Sequence, residues 1–397
     1  MIGHVDADCF YVSAERVRFP HLKGLPVGVI GNHGACVIAK SYEAKAAGIK
    51  TGTPIWEARS LCPDAVYIKR DFRWYEAISR RMLELVKEIS PRVEFYSIDE
   101  SFYEVQEVDP TGLQSTILDR VGVPVSVGIA PTKTLAKLCS DCSKPFGVRV
   151  ITTDDERREL IQGLPVTEIC GIAGRAATKL EAHRIETCDQ FAAADNRLIR
   201  KLLTVVGERL WYELRGEPVL PVQTSRADHK CIARGGSIGR ATRDPSRVAA
   251  FVVRNVERVI EALFYYQVCC DQLTLSLDFR DAPGRALRCS LLGSSADTDD
   301  LRDAALWLLP RVWRPPSATV HYMHVIADRL RPLTGRQRSL FERRRAKDER
   351  VEGVKRQIND AVGRFALRSA STLALTDVYS DPANSYDIPD IHGKTCF

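Results

Sequence analysis

The stretch Val93-Glu94-Phe95-Tyr96-Ser97-Ile98-Asp99-Glu100-Ser101-Phe102-Tyr103-Glu104-Val105 decides the reading of the fold. Two short runs rich in β-branched and aromatic residues, Val93 to Ile98 and Phe102 to Val105, flank Asp99 and Glu100, which predicts two strands meeting at a tight turn with two carboxylates beside it. Upstream, the apolar residues Tyr75, Ile78, Met82, Leu85, Val86 and Ile89 follow helical spacing from Asp71 to Ile89, and Ser90-Pro91 ends the run. Downstream come a predicted helix, Thr111 to Val121, and a strand, Val123 to Ala130, apolar enough to be buried on both faces. With the apolar run Ile2 to Asp6 at the start, the order is β, insertion, α, β, β, α, β, the split β-α-β arrangement of a ferredoxin-like sheet. Its central strands are neighbours. Asp6 and Asp8 would therefore lie next to Asp99 and Glu100, although Asp6 and Asp99 are 99 − 6 = 93 positions apart.

The insertion contains predicted strands at Val27 to Ile30 and Cys36 to Ala39, a helix from Ser41 stopped by Gly48, and a helix begun by Thr53-Pro54 and ended by Pro63. Beyond the sheet, Pro165 to Gly216 reads as a smaller helical unit. Within it, Gly171-Ile172-Ala173-Gly174 before a helical Arg175 to His183 looks like a helix-hairpin-helix, whose glycine turn admits a phosphate to backbone N–H groups. Glu217 to Asp228, with Pro218 and Pro221, suits an extended linker. The segment Arg329 to Arg356 is arginine-rich, and the tail beyond is expected to be partly flexible or draped over another surface.

A chain of 397 residues with 45% hydrophobic and 27% charged residues excludes fibrous and disordered classes and predicts two to four domains. Residues 1–225 hold 29 basic and 30 acidic side chains, 226–332 hold 16 and 12, and 333–397 hold 12 and 9, so the basic surplus lies in the C-terminal part, where it would suit phosphate contact or serve solubility. The apolar runs are too short to span a bilayer, and Asp6 and Asp8 interrupt the N-terminus where a signal peptide needs apolar residues; a cytoplasmic protein without a membrane role is expected. The 12 cysteines are then expected to be reduced, and the single C-x-x-C, Cys139 and Cys142, has no second pair at zinc spacing.

Carboxylates gathered at strand ends raise one another's pKa, a conflict that divalent cations resolve. Hard oxygen ligands suit Mg²⁺, and two such ions can activate an attacking hydroxyl and stabilise a leaving oxygen in phosphoryl transfer. Acids at turns also cap backbone or pair with Lys and Arg, and on residue types alone both readings stand.

Asp6-Ala7-Asp8-Cys9-Phe10-Tyr11 followed by Ser97-Ile98-Asp99-Glu100 resembles the paired catalytic motifs of the Y-family, translesion DNA polymerases. Cys36-Val37-Ile38-Ala39-Lys40-Ser41-Tyr42-Glu43-Ala44-Lys45 resembles the family's fingers motif. Val127-Gly128-Ile129-Ala130 with Lys137 and Lys144-Pro145 resembles its later palm motif, and the Gly171 region its thumb. Lys45 stands where many relatives carry arginine, and Ala39 where they carry a hydroxyl residue. Both changes also occur in the bacterial polymerase V catalytic-subunit-like branch, which the chain resembles more closely.

The resemblance implies a multidomain α+β fold: a ferredoxin-like palm (1–10 and 71–164), small fingers (11–70), a helix-hairpin-helix thumb (165–216), a linker (217–228), an α/β little finger (229–332) and a C-terminal tail (333–397). It implies a template-directed DNA polymerase that adds dNTPs to a primer 3′-hydroxyl with two Mg²⁺ ions, Mn²⁺ being a substitute, and that takes part in low-fidelity synthesis across DNA damage. The implied metal ligands and catalytic acids are Asp6, Asp99 and Glu100 with the backbone carbonyl of Ala7, and Asp8 is implied to play a supporting part. Tyr11 would be the steric gate against ribose, with Phe10 beside it, and Tyr42, Lys45 and Lys144 would contact the triphosphate. Arg234-Gly235-Gly236-Ser237-Ile238-Gly239 sits where the little finger meets the DNA backbone. Gln337, Leu340 and Phe341, within Gln337-Arg338-Ser339-Leu340-Phe341, resemble a peptide that binds the bacterial sliding clamp. Expected partners are primer-template DNA, dNTP, the clamp and accessory proteins of the SOS response, with a nucleoid association in the cytoplasm. Two rivals are an adaptor that binds DNA and clamp with little catalysis, which would lack metal acids, and a two-metal nuclease or cyclase, which leaves Tyr11 and the later domains unexplained.

Overall fold

The computed structural model describes residues 1–31, 36–225, 228–334 and 346–380, and the chain divides into two units, the first over Met1–Arg226 and the second starting at Ala227.

In the first unit, β1 (Ile2–Ala7) is buried along its whole length, as a central strand should be. It is followed by α1 (Phe10–Arg18), β2 (Val27–Ile30), β3 (Val37–Lys40), α2 (Tyr42–Ala46), α3 (Ile55–Leu61) and β4 (Val66–Lys69). Then come α4 (Phe72–Ile89), β5 (Val93–Phe95), β6 (Glu100–Glu104), α5 (Pro110–Val121), β7 (Val125–Ala130), α6 (Lys133–Cys142) and β8 (Val148–Val150). Four helices close the unit: α7 (Asp154–Ile161), α8 (Arg175–Glu181), α9 (Cys188–Ala193) and α10 (Asn196–Leu214).

The main sheet runs β5-β6-β1-β7-β8, with β1 antiparallel to both of its neighbours. Its first four strands have the expected ferredoxin-like order. The strand β8, parallel to β7, was not expected: Val148-Arg149-Val150 is too short to carry a period-2 signal. A second sheet, β3-β2-β4, forms the insertion, and its strand β4 was also missed, four residues in the shadow of Pro63. Helix starts follow their caps. The side chains of Asp71, Asp109 and Thr132 accept N–H groups of Trp74, Gly112 and Leu135, which draws the start of α5 forward to Pro110, whose missing N–H costs nothing in a first turn.

The packing of α6 on the sheet is unusually close. A Cβ on Gly128 of β7 would lie 2.1 Å from the Ala136 carbonyl oxygen and 2.6 Å from the Ser140 nitrogen, so only glycine lets the helix backbone come so near. Residues 217–225 have no regular structure and begin pinned: the buried Glu213 carboxylate accepts the N–H groups of Val219 and Leu220 at 2.8 Å each, and Val222 is buried.

The second unit contains β9 (Cys231–Thr242), α11 (Pro245–Tyr265), β10 (Val268–Phe279), β11 (Arg285–Ser295), α12 (Thr298–Val312) and β12 (Val320–Pro332). The strands form an antiparallel sheet, β11-β10-β12-β9. Alternate residues of β10 and β12, among them Leu273, Leu275, Met323 and Val325, share one core with α11 and α12. The C-terminal segment, α13 (Ala346–Val362) and α14 (Thr376–Tyr379), belongs to this unit. Glu257 and Glu261, one turn apart on α11, take Lys355 at 2.9 Å and Arg364 at 2.5 Å, and Leu375 and Val378 enter the core. The tail that was expected to be flexible or draped is thus, over 346–380, draped on α11. No helix among the described residues is long and apolar enough to cross a membrane, and 11 free cysteines stand among them.

Candidate active site

Strand register brings the acids together. Asp6 on β1 faces Glu100 on β6, and the Ala7 N–H donates to the Asp99 carbonyl at 2.9 Å, so the end of β1 is stitched to the start of β6. Because side chains alternate along a strand, His4 and Asp6 share one face of β1 with Glu100 and Phe102 opposite. One oxygen or nitrogen from each of His4, Asp6 and Glu100 lies within 4.8 Å of the others. Asp99 precedes β6, is half-buried, and accepts the Ser97 hydroxyl at 2.6 Å.

Helix α6 and the loop after it supply the countercharge. Lys137 reaches Glu100 at 2.5 Å and Asp6 at 3.7 Å, Lys144 reaches Asp6 at 2.8 Å, and Asp141 stands 3.4 Å from each lysine. Burial pushes the Asp6 carboxyl up to about 7, against the pull of Lys144 and with a further push from Asp99 and Glu100. Asp99 is also raised, by burial and then by Glu100. For Glu100 burial is overcome by the His4 hydrogen bond and by Lys137, which hold it down at about 2. The lysines are raised by these same acids. Such a set of oxygen donors, one of them disfavoured as an anion at neutral pH, fits a hard divalent cation better than it fits a folding role.

Asp8 is elsewhere engaged. Its carboxylate accepts the Ser126 hydroxyl at 3.0 Å, the Phe146 N–H at 2.6 Å and the Tyr42 hydroxyl at 3.4 Å, so it ties β7, the loop after Lys144 and α2 to the end of β1. The structure thus brings Tyr42 to Asp8, and burial next to that acid raises the phenol's pKa. Lys45 is exposed at the end of α2 and has no ion pair among the described residues. Phe10 is buried in the first turn of α1, whereas Tyr11 is only half-buried and stacks on Tyr75 with centroids 4.5 Å apart and planes 16° apart. Tyr75 is fully buried, and its hydroxyl donates to the buried Glu15 carboxylate at 2.7 Å, which Arg18 also holds.

Sequence reading missed the parts played by His4, Tyr75 and Ser140. His4 offered a signal, a titratable residue inside an otherwise apolar strand and two positions before Asp6, whereas Ser140 and Tyr75 offered none beyond helical spacing. The clamp-peptide residues Gln337, Leu340 and Phe341 lie outside the described residues.

Comparison with known proteins bears on this geometry. The model of the impB/mucB/samB family matches residues 5–141, which include all the acids above, and that of its C-terminal domain matches 229–340. The chain is 32% identical to Protein UmuC of Salmonella typhimurium over 79% of each chain. It is 26% identical to DNA polymerase IV of Bacillus velezensis over 94% of this chain and 93% of that one. Its fold is shared with a Y-family DNA polymerase chimera, Dbh-Dpo4(243-245)-Dbh, at a TM-score of 0.72 and 24% identity, covering 83% of this chain and 99% of that one. With its acids on adjacent strands of a ferredoxin-like sheet and two family models matched in order, the chain belongs to the Y family of DNA polymerases, the impB/mucB/samB family.

Proposed function

We propose that the protein is a template-directed DNA polymerase that extends a primer 3′-hydroxyl with dNTPs and copies past damaged bases. The observation that carries this reading is the register pair Asp6 and Glu100, two carboxylates on adjacent central strands with Asp99 next to them, in a chain of this family. Asp6, Asp99 and Glu100, with the carbonyl of Ala7, would hold two Mg²⁺ ions, for which Mn²⁺ can stand in. Bound there, such ions would supply the charge needed to lower the pKa of the primer hydroxyl and to neutralise the triphosphate and the departing pyrophosphate.

The remaining roles belong to the chain's own residues. Tyr11 is the gate that meets a ribose 2′-hydroxyl, a reading supported by its half-exposed ring and the buried Tyr75 behind it. Phe10 fixes the first turn of α1 beneath the nucleotide. Lys144 and Lys45 supply positive charge to the triphosphate, Lys144 from its station between Asp6 and Asp141. Tyr42 lines the same side, held by Asp8. The domain division proposed is palm, fingers, thumb and little finger, with the bounds given above. Gln337, Leu340 and Phe341 are proposed to bind the bacterial sliding clamp, and a cytoplasmic, nucleoid-associated enzyme working with SOS accessory proteins is the setting this implies.

The test is a primed template incubated with dNTPs and Mg²⁺, with Asp99→Ala alongside. Extension by the natural chain and none by the variant supports the proposal. A shift of the DNA without extension would favour an adaptor, and shortening of the strand a nuclease.

A further inference from the structure

His4 sits under the acids with no solvent exposure and both ring nitrogens engaged. Nε2 is 3.2 Å from Glu100 Oε2, and Nδ1 is 2.7 Å from the Ser140 hydroxyl on α6. An ionised carboxylate only accepts, so Nε2 carries the proton it donates to Glu100, while Nδ1 meets the Ser140 hydroxyl, whose single proton also has the Lys137 carbonyl within reach. The ring also rests against Phe102, with centroids 4.4 Å apart.

Two observations decide what this arrangement does. First, Lys137 donates to the same oxygen of Glu100 at 2.5 Å, so both donors converge on Oε2, and Oε1 receives none among the described residues. A carboxylate held by one oxygen from two directions cannot rotate freely, and its other oxygen keeps a fixed direction. Second, the contacts close a ring. The Ser140 hydroxyl lies 2.8 Å from the Lys137 carbonyl, Lys137 Nζ returns to Glu100, Glu100 meets His4, and His4 meets Ser140. The close seat of α6 at Gly128 holds the helix half of that ring against the sheet.

We infer that His4, braced by Ser140, is a positioning residue that fixes Glu100 with Oε2 occupied and Oε1 presented to a divalent cation; this rests on the reading of Asp6 and Glu100 as metal ligands. The rival, that His4 is itself a ligand, requires Nε2 to leave the carboxylate, and a hard cation gains little from a nitrogen among oxygens. Partners that orient a ligand typically carry about 10–100-fold in metal affinity or activity.

The test measures Mn²⁺ binding to the whole chain by electron paramagnetic resonance, without DNA or nucleotide, beside a thermal melt of each variant. His4→Leu keeps the volume and loses the donor, so Mn²⁺ affinity should fall by about 10-fold or more. His4→Gln restores an N–H donor and should recover most of it, and Ser140→Ala, acting one bond further away, should lie between. A merely structural role predicts lower melting temperatures with unchanged Mn²⁺ affinity in the folded variants, and that result overturns the inference. Spin-echo modulation from a nitrogen bound directly to Mn²⁺ in the natural chain would overturn it in favour of the ligand. If the natural chain binds no more Mn²⁺ than Asp6→Asn does, the metal reading itself falls, and the inference with it.

Discussion

Asp6→Asn should make the metal-free protein more stable while abolishing the metal's effect. A buried carboxyl raised from 3.8 to about 7 is a group whose ionisation opposes folding. Its contribution is fully present below pH 4 or so, where folded and unfolded chains both hold the proton, and is lost as the pH rises through 7. At about 1.4 kcal/mol per pH unit, the span from 3.8 to about 7 sets an upper scale of roughly 4 kcal/mol at pH 8. Lys144 loses its 2.8 Å partner in the variant and keeps Asp141 at 3.4 Å, which reduces the gain. A net gain of about 2 kcal/mol would raise the midpoint by several degrees, at about 2–4 °C per kcal/mol for a unit of this size. The assay is thermal unfolding of both proteins in EDTA at pH 5, 6, 7 and 8, then at pH 8 with Mg²⁺. The difference should grow from pH 5 to 7 and flatten above it, and Mg²⁺ should stabilise the natural chain far more than the variant. A difference that is independent of pH, or a variant less stable at pH 8, would refute the reasoning, because Asp6 would then be no source of strain for a cation to relieve.

Three further outcomes are expected. Tyr11→Ala should raise ribonucleotide incorporation in primer extension, since the stack on Tyr75 holds the ring firmly in place; unchanged sugar selectivity would count against the gate. Gly128→Ala should destabilise the first unit by about 1–3 kcal/mol in urea unfolding, because the added methyl meets the backbone of α6 rather than a side chain that can give way. Replacing Leu340 and Phe341 together by Ala should abolish binding to a bacterial sliding clamp on a sensor surface and leave clamp-free extension intact; retained binding would dismiss that peptide.

Some of this protein was settled by local pattern. The run Val93 to Val105, the helical spacing from Asp71 to Ile89 and the apolar strands at both ends were enough for the ferredoxin-like order, because strand and helix periods are properties of the chain itself. Motif spacing likewise marked Asp6, Asp99 and Glu100. Shorter elements escaped: β4 and β8 are strands only because β2 and β7 offer them hydrogen bonds, and nothing within three or four residues announces that. The tail reads as a charge run, yet Lys355 and Arg364 find Glu257 and Glu261 about a hundred positions earlier. The state of the acids was also beyond the sequence. That Asp6 is hard to ionise while Glu100 ionises readily depends on burial, on which lysine reaches which oxygen, and on His4 and Ser140 meeting across 136 positions. Residue types and spacing therefore determined which groups could do chemistry, whereas desolvation and through-space contacts, which exist only once the sheet and α6 have packed, decided their charge and direction.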